Sequence, residues 1–422
     1  MSIEPIILRS RLWSCDSKDT KPDGWAPGIL LMELDTMFDI SAQTRAAMPE
    51  VLTLPGTVDP HVHFRLKKTG QMAMVAAECA TEHEATVDIP NVPGITSLEA
   101  LRERYADIHS CIPYGQRTQV LMTPLVNDTT DPEFIRAARK ARLIHGVKIF
   151  WQGVSNDYGN SISSAAGAEK LIRSLGDTVC TLHAECRDDY DGKRIPIKNR
   201  EFWCVENEVS KIIKMNPEGT FVIRHISDRR TLQWIETQRG RGFNIHGELS
   251  PQYLILIDDD IFTGEDSHAA LQCNCVFWPR PKDKHSQDAI RRAALWGVDW
   301  LHIGTDYAMH LEDFSQPSGV KINNKGVAVG GLNFLPRVAK SVLIDFYISH
   351  GRKDLLAPML SGNAAKLYGI MLSDKQYKYM REDWVVPDYS MGKKEGVIPG
   401  QWHPVRSSCF LRGHTMHWRK AT

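Results

Sequence analysis

Thr57-Val58-Asp59-Pro60-His61-Val62-His63-Phe64-Arg65 reads as a strand that delivers two imidazoles to one point. Side chains at i and i+2 on a strand face the same way, so both rings can reach one cation while Val62 packs behind them. Neutral imidazole suits zinc and similar divalent ions. Taken alone, the pair reads equally well as two unrelated surface histidines, and the rest of the chain has to decide.

Outward from this stretch the pattern is repetitive. From Pro55 an apolar strand-like run, a charged loop and a helix-like segment follow one another several times. Strands are expected at 52–59, 85–89, 118–122, 146–150, 178–183, 220–225, 242–246 and 300–305. Helical patterns fall between them at 71–83, 97–108, 133–144, 167–175, 206–216 and 229–237. Eight strands alternating with helices predict an α/β fold of the (β/α)8 TIM barrel type, rather than an open sheet of five or six strands. Before Pro55, short apolar runs such as 28–32 suit small strands. The expected organisation is therefore an N-terminal part of a small β subdomain at 1–54, a barrel at 55–370, and a tail at 371–422 that completes the subdomain or packs on the barrel.

Polar residues of unusual kind stand at the ends of these strands. His61 and His63 follow the first, Asn91 the second, Lys148 lies in the fourth, His183 ends the fifth, His225 the sixth, His246 the seventh and Asp306 the eighth. In a barrel those ends converge on one mouth, where active sites form. A metal-dependent site follows from the barrel reading.

These residues carry a resemblance. Asp59-Pro60-His61-Val62-His63-Phe64-Arg65 is similar to the opening signature of the dihydroorotase family of the amidohydrolase superfamily. Ile89-Pro90-Asn91 resembles its second-strand asparagine, and Gly146-Val147-Lys148-Ile149-Phe150 its lysine strand. Leu182-His183-Ala184-Glu185 and Arg224-His225-Ile226-Ser227 resemble its later histidine elements, Gly304-Thr305-Asp306-Tyr307-Ala308-Met309-His310 its aspartate element, and the run 361–369 its closing segment. The likeness covers about residues 51–370.

The resemblance implies reversible hydrolysis of (S)-dihydroorotate to N-carbamoyl-L-aspartate in pyrimidine biosynthesis. It implies two divalent ions, zinc or manganese, and a CO2-derived carboxylate on Lys148 that bridges them. One ion would take His61, His63, Lys148 and Asp306; the other would take Lys148, His183 and His225. Arg65, Asn91 and His310 would hold an acidic cyclic amide.

The chemistry asks for such a set. A cyclic amide is poorly electrophilic, and metal ions can polarise its carbonyl and make hydroxide available. A free ammonium offers no lone pair, which is why Lys148 would need carboxylation; otherwise it reads as a lysine snorkelling to solvent. Asp306 is the candidate proton shuttle, since a carboxylate beside the attacking group can take its proton and pass it to the leaving nitrogen. Its plainer reading is a turn aspartate. A guanidinium at Arg65 matches a substrate carboxylate with two donors, against the alternative of a surface salt bridge.

Departures from the family pattern leave other readings open. Met309 stands where a proline is usual, as does Ala364, and Cys273-Asn274-Cys275-Val276-Phe277-Trp278-Pro279-Arg280 is bulkier than the family's substrate loop. The alternatives are another cyclic amidohydrolase, hydantoinase- or allantoinase-like, and a catalytically silent structural or regulatory relative. The charged region 185–201 and the run Asp258-Asp259-Asp260 are assigned no chemistry, the latter reading as a solvated loop.

With 51 basic and 51 acidic side chains there is no overall field to draw nucleic acid or an anionic membrane. The 9 cysteines are scattered, apart from one Cys-Asn-Cys, and read as reduced thiols. No apolar run approaches membrane-spanning length. The expectation is a cytoplasmic protein with a small-molecule substrate, no nucleic acid and no membrane; the aromatic tail is compatible with a homodimer or other homo-oligomer.

Overall fold

The computed structural model describes residues 38, 40–91, 94–154, 161–258, 277–310, 321–322, 328–329, 334–387, 389–395, 402–409, 411 and 413–421. The strand expected at 28–32, the run 273–276, and Asp259 with Asp260 lie outside the described residues.

The barrel is present. Its strands are β2 (Val58–His63), β3 (Ala85–Asp88), β4 (Gln119–Met122), β5 (Val147–Phe150), β6 (Val179–His183), β7 (Thr220–Ile223), β8 (Asn244–Leu249) and β9 (Leu301–Ile303), continued by β10 (Tyr307–Ala308). The orders β10-β2-β3-β4 and β5-β6-β7-β8-β9 are parallel throughout. A parallel bridge between Leu125 and Lys148 joins the two runs. β9 pairs with β8, while β10 pairs with β2 through Tyr307–Val62 and Ala308–His63, which closes the ring. Strands covered on both faces read as near-continuous apolar runs, and every residue of β2, β3, β5 and β6 is buried.

The strand expected at 52–59 is two strands. β1 (Val51–Pro55) leaves the barrel and pairs antiparallel with β13 (Gln376–Val385), and the barrel strand begins only at Val58. Alternating exposure along β1 marks a one-sided sheet, whereas β2 is buried throughout. Between β10 and β13, the two-residue strands β11 (Lys321–Ile322) and β12 (Ala328–Val329) pair with each other. β14 (Tyr389–Glu395) pairs with β15 (Trp402–Ser408), and β16 (Thr415–Lys420) lies on the other side of β13. The small β subdomain is thus built from both ends of the chain, as expected for this fold class.

Helix starts follow side-chain capping. Ser97, Asp131, Asp228 and Asp283 each accept an N–H from the first turn of the helix they precede, satisfying donors that helices leave unpaired. The helix expected at 206–216 begins earlier, at Arg200, and passes through a π-turn at Val205–Val209. Val58, Ala85, Val87, Leu121, Val179 and Val222 of the barrel strands pack with Ala364, Ala365 and Tyr368. The helix Asn363–Tyr368 thus contributes to this second core, and a small side chain at Ala364 fits there. Among the described residues no helix is long and apolar enough to cross a membrane.

Candidate metal centre at the barrel mouth

Pro60 has no N–H to give to a ladder, and the β2–β3 register shifts between Asp59 and Val62. The irregular segment is pinned by Asp59: its Oδ1 accepts from the His61 and Thr305 backbone N–H groups, each at 3.1 Å, and its Oδ2 accepts from the Thr305 hydroxyl at 2.5 Å. His61 and His63 therefore leave the strand end in fixed directions, and both are buried.

Their Nε2 atoms converge on one carboxylate oxygen. Asp306 Oδ1 lies 3.2 Å from His61 Nε2 and 2.9 Å from His63 Nε2. Asp306 adopts a left-handed backbone, φ 56°, and burial raises its carboxyl above the ordinary range against the pull of His61. The ligand atoms of His61, His63 and Asp306 all lie within 4.8 Å of one another. Two imidazoles and a carboxylate form a donor set suited to a divalent cation.

The second histidine pair faces the first. His183 Nδ1 and His225 Nε2 are 2.9 Å apart, and the His225 ring centroid lies 5.4 Å from that of His61. Two facing ring nitrogens need a proton or a cation between them to relieve lone-pair repulsion. Lys148, from β5, is buried and donates its Nζ to Asn91 Oδ1, while Asn91 Nδ2 lies 3.4 Å from His63 Nε2. The amine does not snorkel to solvent. Burial lowers it to about 7, with Asp306 opposing the fall and the guanidinia of Arg224 and Arg65 adding to it.

Arg65 is buried, with φ 60°, and its Nη2 donates to His310 Nε2. Its carbonyl is held by Arg104 Nη1 at 3.0 Å, and Arg104 grips Asp88 with two further bonds of 2.6 and 2.8 Å. All nine positions proposed from sequence are described: contacts join His61, His63, Asp306, Asn91 and Lys148, and His183 with His225 beside His61, while Arg65 pairs with His310 and its charge acts on Lys148.

Three readings need correction. His246 does not end its strand: β8 runs on to Leu249, and His246 bonds Asn244 at 3.2 Å near Arg239, Asp299 and Lys366. The residue that reaches the site is Glu248, and its charge inside the strand disguised the strand's true end. Asp258 is buried, not solvated, pairing with Lys198 at 3.0 Å and Arg280 at 3.3 Å. The region 185–201, to which no chemistry was assigned, brings two carboxylates to the later histidine elements. Glu185 is buried with Oε2 3.2 Å from His183 Nε2, and Glu201 accepts the backbone N–H of Ser227.

Glu248 is fully buried and meets His61 Nδ1 at 2.5 Å through Oε1. Arg224 Nη1 donates to its other oxygen, to Pro60 O at 2.7 Å, and through Nη2 to the Tyr368 hydroxyl at 2.8 Å. Burial would raise the Glu248 carboxyl, but Arg224 and His61 outweigh it and hold the group well below the usual carboxylate range. An acidic residue directly before the apolar Leu249, near the end of β8, was the available signal. For Glu185 it was the position two residues after His183.

The chain is 25% identical over 375 residues to a dihydroorotase of Pseudoalteromonas atlantica, a match spanning 87% of this chain and 98% of that protein. Its fold resembles the crystal structure of the Saccharomyces cerevisiae dihydroorotase in complex with 5-fluoroorotic acid, with a TM-score of 0.72 and 19% identity over 88% of this chain and 99% of that one. A D-hydantoinase structure gives a TM-score of 0.64 and 14% identity over 88% and 83% of the respective chains. No protein-family model matches the chain. Likeness to dihydroorotases runs through nearly their whole length, on the barrel whose strand ends gather the two histidine pairs.

Proposed function

We propose that this chain is a dihydroorotase: a metal-dependent hydrolase that opens the ring of (S)-dihydroorotate to N-carbamoyl-L-aspartate and closes it again, as a step of pyrimidine biosynthesis. The observation that carries this reading is the placement of Arg65, bonded to His310, beside a buried group of four histidines, Lys148 and Asp306. A guanidinium there suits a substrate that carries a carboxylate as well as a cyclic amide.

His61, His63 and Asp306 would hold one divalent ion, His183 and His225 a second, and Lys148, carboxylated by CO2, would serve both. Zinc and manganese both suit this mixed imidazole and carboxylate set. When bound, such ions polarise an amide carbonyl and make hydroxide available near neutral pH. A carboxylated Lys148 replaces a charge that would repel cations with one that attracts them.

The chain's own groups divide the remaining work. Arg65 and His310 fix the substrate carboxylate, and Asn91, between His63 and Lys148, offers an amide to the ring. Asp306, whose carboxyl burial makes easier to protonate, takes the proton of the attacking water at its carboxylate and delivers it to the ring nitrogen as the C–N bond breaks.

Incubating zinc- or manganese-loaded protein with dihydroorotate, with bicarbonate supplied, should yield N-carbamoyl-L-aspartate. The likeness to a D-hydantoinase fold supports a second reading, a different cyclic amidohydrolase. Turnover of hydantoin or allantoin without turnover of dihydroorotate would establish that reading instead. No turnover of any of them, with tight binding to a partner enzyme, would point to a silent regulatory relative.

A further inference from the structure

We infer that Glu248 is a positioning residue for the metal centre: its carboxylate holds His61 as the tautomer protonated at Nδ1, leaving the Nε2 lone pair free for a cation. This rests on the metal-dependent reading above and names a residue that reading does not use.

The geometry has four independent parts. Glu248 Oε1 sits 2.5 Å from His61 Nδ1, while His61 Nε2 faces Asp306 Oδ1 at 3.2 Å. A carboxylate can only accept, so the shared proton lies on Nδ1 and the opposite nitrogen is unprotonated in the neutral ring. Glu248 is itself immobilised: Arg224 holds its second oxygen, and Arg224 is held in turn by Pro60 O and the Tyr368 hydroxyl. The backbone N–H of His225 points at Oε1 from 3.3 Å, so the same carboxylate touches both histidine pairs.

Space around it is committed as well. A Cβ added at Gly304 would lie 2.6 Å from the Glu248 carboxyl carbon and from Oε2, and 2.9 Å from the His61 Cβ. The glycine before Thr305-Asp306 therefore makes room for this carboxylate. Two of the other histidines show comparable anchoring, His63 by Ile89 O and His183 by Glu185, but those anchors lack the guanidinium brace. Partners of this kind orient a ligating imidazole, and losing one typically weakens metal binding about 10–100-fold.

The test compares two doubly substituted full-length chains, R224M/E248Q and R224M/E248L. Both lack the buried ion pair, so neither leaves a lone charge in the core; only the first retains an oxygen for His61 Nδ1. Zinc affinity is measured by competition with a chromophoric chelator. The expected result is binding about 10–100-fold weaker in the leucine chain than in the glutamine chain. Equal affinities in the two chains, beside normal binding by the wild type, would overturn the assignment and leave the metal reading intact. A wild-type chain that binds no zinc overturns both. Should the substituted chains fail to fold, histidine 15N spectra of the wild type decide: His61 protonated at Nδ1 supports the assignment, and His61 protonated at Nε2 refutes it.

Discussion

Single side chains at this site are proposed to divide into those that hold a cation and those that hold substrate, and substitution should separate the two. Arg65→Met removes the guanidinium while roughly keeping side-chain length. Metal content should stay at the wild-type level and KM for dihydroorotate should rise about 10–100-fold, since a hydrogen bond to a charged group contributes roughly 1.5–3 kcal/mol. Steady-state kinetics with metal analysis on the same sample checks both halves. Lys148→Ala should act in the opposite sense, lowering metal content at the whole site together with activity, because the proposed shared ligand is gone. Loss of activity with full metal occupancy in that variant would remove Lys148 from the ligand set. At this scale His61, His63, His183 and His225 were legible in the sequence because HxH and strand-end spacing carry their meaning locally, while the same spacing misplaced His246. Glu248 and Glu185 were not, because a buried acid looks like a surface acid until its partners His61, Arg224 and His183 arrive from other strands.

At the scale of elements, the helix Leu98–Ser110 sends Arg104 back to the barrel, where it pairs with Asp88 of β3 and supports the carbonyl of Arg65. Arg104→Met would strip a buried carboxylate of its cation. Breaking such a pair from one side typically costs about 3–5 kcal/mol, so the melting temperature should fall well below that of the wild type. The released Arg65 backbone, held at φ 60°, should also raise KM for the acidic substrate. A variant with unchanged stability and KM would show that the brace contributes nothing. Strand positions were readable from apolar runs to within a few residues for most of the barrel. The exceptions have physical causes. The first predicted strand hides a change of sheet at Gly56-Thr57, where β1 pairs with a segment some three hundred residues away in the chain, and β8 continues through a charged residue that only a barrel interior could accommodate.

For the whole molecule, the small β subdomain meets the barrel through the helix Pro336–Ser349, where Asp345 Oδ1 accepts from Trp418 Nε1 at 2.9 Å and Oδ2 has no hydrogen-bond partner among the described residues. Burial raises this carboxyl from its ordinary 3.8 to about 6, with His417 and Arg45 pulling the other way. Between those values the folded chain holds a proton that the unfolded chain has released, so this group's contribution to stability falls as pH rises and levels off above pH 6. The full change is on the order of 3 kcal/mol. In urea titrations from pH 4 to 7, the stability of the wild type relative to Asp345→Asn should decline with rising pH; a pH-independent difference would show that Asp345 does not titrate in this window. None of this was visible in the sequence, which shows only an aspartate in an apolar helix. The sequence by itself determined the barrel, the family likeness and the residues proposed to carry the chemistry, because apolar periodicity and short motifs are properties of neighbouring residues. Tertiary structure alone decided that Gly304 must be small, that His61 is braced through Glu248 and Arg224 to Tyr368, and that Asp258 and Asp345 are buried. Those facts depend on which distant side chains share a low-dielectric space, and burial changes what a charged group does.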